Sequence, residues 1–118
     1  MKNEFLPYDR ALKLKELGFD EPCIATHGYL ELYINTDDGH LKAPLYQQAF
    51  RWFREEYKFH AEIRSYTAKY FTIIIQELKD IVRYLEYGGI DLKFNTYEEA
   101  ELACLDKLIE LVESKQNK

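Results

Sequence analysis

Hydrophobic and polar residues follow helical spacing in some segments and alternate in others. Residues 9–17 have the pattern of a short helix, which Asp9 can cap and which Gly18 can end in the left-handed conformation. Residues 44–58 predict the clearest helix, because Pro44 suits a first helical position and the apolar residues fall in one wide arc. The residues of this arc are Leu45, Tyr46, Ala49, Phe50, Trp52, Phe53 and Tyr57. An arc this aromatic indicates a helix buried in the core.

Three segments alternate with the period of a half-buried strand, namely residues 29–34, 60–66 and 70–75. Turn residues at 35–39 end the first segment, and residues 67–69 are short enough to join the other two as a hairpin. Two interpretations fit residues 70–87. Either a strand over 70–75 precedes a helix over 77–87, or one long helix replaces both. The strand is favoured because residues 70–75 are β-branched or aromatic.

A last helix is predicted from Thr96, because Thr96 and Glu99 have the spacing of a capping box. Its apolar face is expected to bury Trp52 and Phe53, and a polar tail begins at about residue 114. The whole pattern predicts an α+β fold in a single domain over 1–118. In it, a small antiparallel sheet of about three strands packs against two to four helices, with the Pro44 and Thr96 helices on one face.

Composition and charge narrow the class of protein. The chain of 118 residues is 47% hydrophobic and 31% charged, which is typical of a soluble globular protein. Its net charge of −5 argues against general nucleic-acid binding. No apolar run approaches the length of a membrane span, and the first residues lack the apolar stretch of a secretory signal. With only two cysteines, we expect reduced thiols in a cytoplasm.

No motif predicts a catalytic residue or a cofactor. The chain has no glycine-rich phosphate loop, no Gly-x-Ser-x-Gly elbow and no nucleophile beside a base. Cys23 and His27 could face a metal, but structural zinc takes four ligands, and His40 and His60 have no close partner in the sequence. We therefore predict no metal site.

Two glutamates lie inside apolar arcs, Glu56 in the Pro44 helix and Glu101 in the last helix. Carboxylates paired in a cleft could perform acid–base chemistry. The favoured interpretation is that each marks an edge where its helix meets solvent, because ionised residues are rarely fully buried.

The candidate binding surface is a sheet face that mixes tyrosine, arginine and histidine. Tyrosine and arginine are enriched where proteins bind partners, although a plain solvated face is the alternative. The face is centred on Tyr33, Arg64 and Tyr66. Its residues are Tyr29, Glu31 and Tyr33 on one strand, and His60, Glu62, Arg64 and Tyr66 on another.

Three stretches of the chain resemble a known group of proteins. They are residues 11–23 (ALKLKELGFDEPC), 43–55 (APLYQQAFRWFRE) and 96–109 (TYEEAELACLDKLI). The chain resembles small uncharacterised proteins of gut-type Bacteroidetes and of their tailed phages. The resemblance implies a phage or prophage origin and a host-cytoplasm setting, and it implies no activity, cofactor or catalytic residue.

We therefore expect an accessory protein-interaction module that binds a host or phage protein, in an oligomeric state that the sequence leaves open. The first alternative is a nucleotide-binding or small-molecule-binding protein, which would use the same face or a cleft beside Trp52 and Arg54. The second alternative is a small enzyme.

Overall fold

The computed structural model of the protein describes residues 4–36, 38–65, 69–77, 83–85 and 93–116. Within these ranges lie three helices and two antiparallel sheets, so the fold is α+β, as predicted. The sequence predicts one sheet, and the structure has two. The elements are α1 (Tyr8–Glu16), β1 (Ala25–His27), β2 (Leu32–Ile34), β3 (Leu41–Lys42), α2 (Tyr46–Tyr57), β4 (Phe59–Ser65), β5 (Phe71–Glu77), β6 (Arg83–Leu85) and α3 (Tyr97–Gln116).

The chain divides into two compact units, Met1–Ala49 and Phe50–Lys118, with the boundary inside α2. The first unit holds a sheet in the order β2-β1-β3, and α1 packs against β3. The second unit holds a sheet in the order β4-β5-β6, and α3 packs against β4 and β5. None of the helices in the described residues is both long and apolar enough to span a membrane.

Helix α1 ends at the predicted glycine. Gly18 has a φ of 107°, which glycine adopts without steric cost. The N–H of Phe19 donates to the carbonyl of Leu14 at 2.9 Å, and the N–H of Gly18 donates to that of Lys15 at 3.0 Å. These two bonds form a Schellman motif, which satisfies carbonyls at the end of the helix.

The start of α1 differs from the prediction. Pro7 occupies the cap position and makes no side-chain cap bond, while Asp9 lies in the first turn. A carboxylate there still interacts favourably with the positive end of the helix dipole. The helix therefore begins one residue earlier than predicted, and Asp9 acts by charge instead of as a cap.

The strand predicted for residues 29–34 is shorter in the structure. It pairs as β2 with β1, which the sequence does not predict, and His27 stands opposite Leu32. Residues 28–31 form the turn between the two strands, closed by a 2.7 Å bond from the Gly28 N–H to the Glu31 carbonyl. Leu30 was expected on the half-buried side, but the turn leaves it 98% exposed.

The second unit contains the larger sheet. Strands β4 and β5 are seven residues each and pair from Phe59 opposite Glu77 to Ser65 opposite Phe71. The predicted hairpin is therefore confirmed, although residues 66–68 of its connection lie outside the described residues. The core of this unit contains the predicted aromatic pair and one face of α3: Trp52, Phe53, Phe59, Ile73, Ile75, Leu105, Leu108 and Val112.

The helix predicted for residues 77–87 is wrong where the structure describes it. Glu77 ends β5, and Arg83–Leu85 forms β6, which pairs antiparallel with β5. One long helix over residues 70–87 is wrong for the same reason. Strand β5 is buried over most of its length, so apolar residues occupy both of its faces and do not alternate with polar ones. This run of apolar residues also fits helical spacing.

Helix α3 begins as predicted. The Thr96 hydroxyl accepts a hydrogen bond from the Glu99 N–H at 3.1 Å, and the Glu99 carboxylate accepts one from the Asn95 N–H at 3.2 Å. The reciprocal bond thus reaches one residue further back than the usual capping box. The helix continues to Gln116, so the predicted polar tail starts inside it.

Candidate binding surface

The predicted residues of β4 share one face of that strand. The Glu62 carboxylate forms an ion pair with the Arg64 guanidinium, and its other oxygen lies 3.8 Å from His60 Nε2. Contacts at a spacing of two residues are those of neighbours on one side of a strand. Tyr66, the fourth predicted residue, lies outside the described residues.

The predicted residues of the first unit do not belong to the sheet that contains β4. Only Tyr33 lies in β2, with its hydroxyl 3.5 Å from Glu31 Oε1, and the negative charge of Glu31 raises the pKa of Tyr33. Tyr29 and Glu31 lie in the turn. Because β2 and β4 belong to different sheets, the prediction of one sheet face centred on Tyr33, Arg64 and Tyr66 is wrong.

Tyr29 instead belongs to what we call the aromatic cluster, which consists of Tyr8, His27, Tyr29 and His40. The Tyr8 hydroxyl and His40 Nε2 are hydrogen-bonded at 2.7 Å. The Tyr29 ring lies over the His40 ring, with 4.2 Å between centroids and 31° between planes. The Tyr8 ring lies 5.6 Å from each of the two imidazoles. These contacts join the start of α1, the end of β1, the turn and the segment before β3.

His27 is the anchored member of the aromatic cluster. Its Nε2 lies 2.7 Å from the backbone carbonyl oxygen of Leu6, and a carbonyl can only accept. Nε2 therefore carries the proton and donates this bond. The bond ties β1 to the residues that precede α1.

The segment that carries His40 is held close to β1. The Thr26 hydroxyl accepts from the Gly39 N–H at 2.9 Å and donates to the Thr36 carbonyl at 3.2 Å. A Cβ on Gly39 would lie 2.6 Å from the His27 carbonyl oxygen, so this position requires glycine. The His40 N–H then donates to the same carbonyl at 2.9 Å, which positions the imidazole beside Tyr29.

The most exposed apolar side chains of the described residues lie at the end of the β1–β2 hairpin. We call Tyr29 and Leu30 the hairpin tip; they are 87% and 98% exposed. The bond between Gly28 and Glu31 closes the turn beneath them. The hairpin tip is therefore an apolar pair held out on a closed turn, with one ring stacked on a histidine.

Each unit contains one cysteine, and the pKa of both thiols is raised. Cys23 is half-buried, and burial raises the pKa of its thiol to about 11. Burial raises the pKa of Cys104 to about 12, and the negative charge of Glu101 adds to the effect. Among the described residues, no three His, Cys, Asp or Glu side chains come together in a way that could hold a metal ion.

The two glutamates of the sequence analysis have different environments. Glu56 is exposed, as the edge interpretation predicts. Glu101 is only 8% exposed on α3, so that interpretation is wrong for it. Glu101 lies just beyond the first turn of α3, which carries Glu98 and Glu99.

Sequence reasoning missed Tyr8, His27 and His40 as members of a surface cluster. The available signal was a histidine beside a glycine in His27-Gly28 and again in Gly39-His40, at the two places where the chain approaches itself. Aromatic faces, imidazole nitrogens and two exposed apolar side chains can together bind a partner. Comparison of the chain with protein-family models, curated proteins and solved structures finds no match.

Proposed function

We propose that the protein is an accessory interaction module of phage or prophage type, and that it binds a partner protein through the hairpin tip and the aromatic cluster. The observation that carries this proposal is the exposure of Tyr29 and Leu30 on a closed turn. Full burial of a leucine side chain in a partner contributes about 1.5–3 kcal/mol of free energy relative to leaving it in water.

The geometry of Tyr29 supports its role as an anchor. Stacking on His40 restricts its ring before any partner arrives, so less side-chain entropy is lost on binding. Tyrosine is also enriched among the few residues that supply most of the energy of an interface. Glu31 and Tyr33 lie next to the tip and suit the polar rim that surrounds such anchors.

The polar face of β4 is the weaker candidate surface. Glu62 already pairs with Arg64 and lies close to His60, so a partner would have to replace these contacts. An exposed ion pair offers little energy in return. The hairpin tip has no comparable interaction to give up at Leu30, whose side chain is almost wholly in water.

The proposed partner is a host or phage protein with an apolar pocket, met in the host cytoplasm. The resemblance of residues 11–23, 43–55 and 96–109 supports this setting, as does the low cysteine content. The net charge of −5 favours a protein over nucleic acid as the partner.

Affinity capture with matched variants tests the proposal. Wild-type protein, Leu30→Asp, Tyr29→Ala and Arg64→Ala are used as baits in host lysate, with folding of each bait checked by circular dichroism. Proteins enriched by the wild type are then purified and titrated. We expect Leu30→Asp and Tyr29→Ala to weaken binding by about 30-fold or more, the effect of losing about 2 kcal/mol at an anchor.

Arg64→Ala is the control and is expected to keep the wild-type affinity. Loss of binding with Arg64→Ala alone would assign the partner to the β4 face and overturn the hairpin proposal. A set of captured proteins that is the same for wild type and Leu30→Asp would overturn it as well.

A further inference from the structure

A groove in the first unit is separate from the hairpin tip and has its own chemistry. It has a volume of about 220 Å³ and lies between α1 and β3. Its apolar lining comes from Ala11, Phe19 and Leu41, all of which are buried. Pockets for drug-sized ligands have volumes of about 300–1,000 Å³, so a groove of this size fits a smaller molecule with an apolar body.

The charged lining of the groove is net positive. Its charged residues are Lys15 and Lys42 against the single acidic residue Asp20. Lys42 donates to Asp20 Oδ1 at 2.9 Å and to the Asp20 carbonyl at 3.1 Å, so both side chains are held in place. This positive site belongs to a chain whose net charge is −5.

Lys15 is the cation of the groove that is left for a ligand. Within the described ranges, no carboxylate lies at ion-pairing distance from it. It extends from α1 one turn after Ala11, and residues four apart lie on the same side of a helix. An anion that approaches Lys15 would therefore have the apolar lining beside it.

His40 also lines the groove and is already oriented. Its Nε2 is hydrogen-bonded to Tyr8, and its ring face is covered by Tyr29. A side chain fixed in this way needs no further ordering when a ligand enters. An apolar lining, a lysine without a carboxylate partner and an oriented histidine together favour a compact ligand with an apolar body and one anionic group.

We propose that this groove binds a small carboxylate with a compact apolar body, with the carboxylate on Lys15 and the body against Phe19 and Leu41. The groove shares His40 with the aromatic cluster, but neither Tyr29 nor Leu30 lines it, so ligand binding there can be tested without the proposed protein partner. The net positive charge of the lining favours the carboxylate of the ligand, and the buried apolar residues favour its apolar body.

Titration of the ¹⁵N-labelled protein followed by NMR tests the proposal with three probes: benzoate, its neutral isostere benzamide, and inorganic phosphate. We expect benzoate to shift the amide signals of Ala11, Lys15 and Leu41 in a saturable way. Benzamide is expected to bind about fivefold more weakly, as for loss of one exposed charge-assisted contact. Phosphate, which lacks an apolar body, is expected to bind more weakly still.

Two lysine variants on α1 supply the matched comparison. Lys15→Gln is expected to bind benzoate no better than benzamide, because it removes the ammonium that distinguishes them. Lys13→Gln makes the same charge change on the same helix outside the groove, and it is expected to retain the fivefold preference. The proposal is overturned by equal affinities for benzoate and benzamide in the wild type, by equal effects of the two variants, or by signal shifts elsewhere than around the groove. Phosphate binding as tight as benzoate would overturn the role of the apolar body.

Discussion

The two units of the chain differ in what they do with their large hydrophobic side chains. Of the large hydrophobic side chains whose burial the structure describes, the second unit leaves only Tyr97 exposed, and the others are buried or half-buried among its seven-residue strands and the twenty-residue helix α3. The first unit has strands of two or three residues. Among the described residues, all but one of the exposed large hydrophobic side chains lie in the first unit: Tyr8, Leu12, Ile24, Tyr29 and Leu30, with Tyr97 as the exception.

The difference in burial indicates which unit contributes more to stability and which offers more surface for recognition. Long strands and a long helix can bury a continuous core. Where the strands are short, more of the chain lies in turns and loops, which run over the surface. The first unit compensates with specific polar contacts, such as those of Thr26 to Gly39 and Thr36. We infer that substitutions in the second unit mainly change stability, while substitutions at the hairpin tip mainly change binding.

The largest expected effect comes from two aromatic residues with opposite environments. Phe53 is fully buried in the second unit, and Tyr29 is 87% exposed in the first. Phe53→Ala is expected to lower the free energy of unfolding by about 3–5 kcal/mol, because it removes a core ring and leaves a cavity. Tyr29→Ala is expected to change it by less than about 1 kcal/mol, which includes the loss of the His40 stack.

Denaturant unfolding monitored by circular dichroism measures both variants. Similar losses for Phe53→Ala and Tyr29→Ala would contradict the division between the units. A Phe53→Ala variant with the wild-type unfolding midpoint would show that its ring is not part of the core.

An intermediate effect is expected at the ion pair of Glu77 and Lys115. Glu77 is buried on β5, and its carboxylate lies 3.4 Å from Lys115 Nζ, which also lies 4.9 Å from the centre of the Phe59 ring. Lys115→Met keeps the apolar stem but removes the charge beside a buried carboxylate. We expect it to cost about 1–3 kcal/mol of stability.

The matched control for this variant is Lys107→Met on the same helix. Lys107 pairs at 3.2 Å with Glu110, which is exposed, so its removal is expected to cost less than about 0.5 kcal/mol. Thermal unfolding of both variants side by side decides the point. Equal shifts in the melting temperature would mean that the burial of Glu77 does not matter.

A smaller loss of stability than at Lys115 is expected at the start of α3. Thr96→Ala removes the acceptor for the Glu99 N–H and is expected to cost roughly 1 kcal/mol. Thr96→Asp is expected to be nearly neutral, since aspartate accepts the same bond and its charge suits the helix dipole. Urea titrations of the two variants measure the difference, and an aspartate variant as unstable as the alanine variant would argue against this cap.

The helices of both units could be predicted in part, because some of their ends depend on nearby residues, although α2 begins at Tyr46 and not at Pro44. Gly18 ends α1 and Thr96 caps α3 through bonds that span only three to five residues. The buried arc of α2 follows in the same way from the helical period, and Trp52 and Phe53 are buried as expected. These are interactions that a short stretch of sequence contains in full.

The sheets and the binding surface depend on pairings between distant residues, and here prediction was partial. Strands β1 and β3 are too short to show a period of two, and β6 forms only because β5 lies beside it. Tyr29 was predicted as a binding residue, but its neighbour His40 is eleven positions away and meets it only after Gly39 approaches β1. The aromatic cluster is therefore a product of tertiary structure.

The two native thiols have a practical consequence for labelling. Only the thiolate reacts with maleimides and similar reagents, and burial keeps the thiolate population of Cys23 and Cys104 very low near neutral pH. A cysteine introduced at the exposed position of Leu30 would keep an ordinary pKa and react first. A fluorophore or cross-linker could thus be placed on the hairpin tip while both native cysteines remain in the chain.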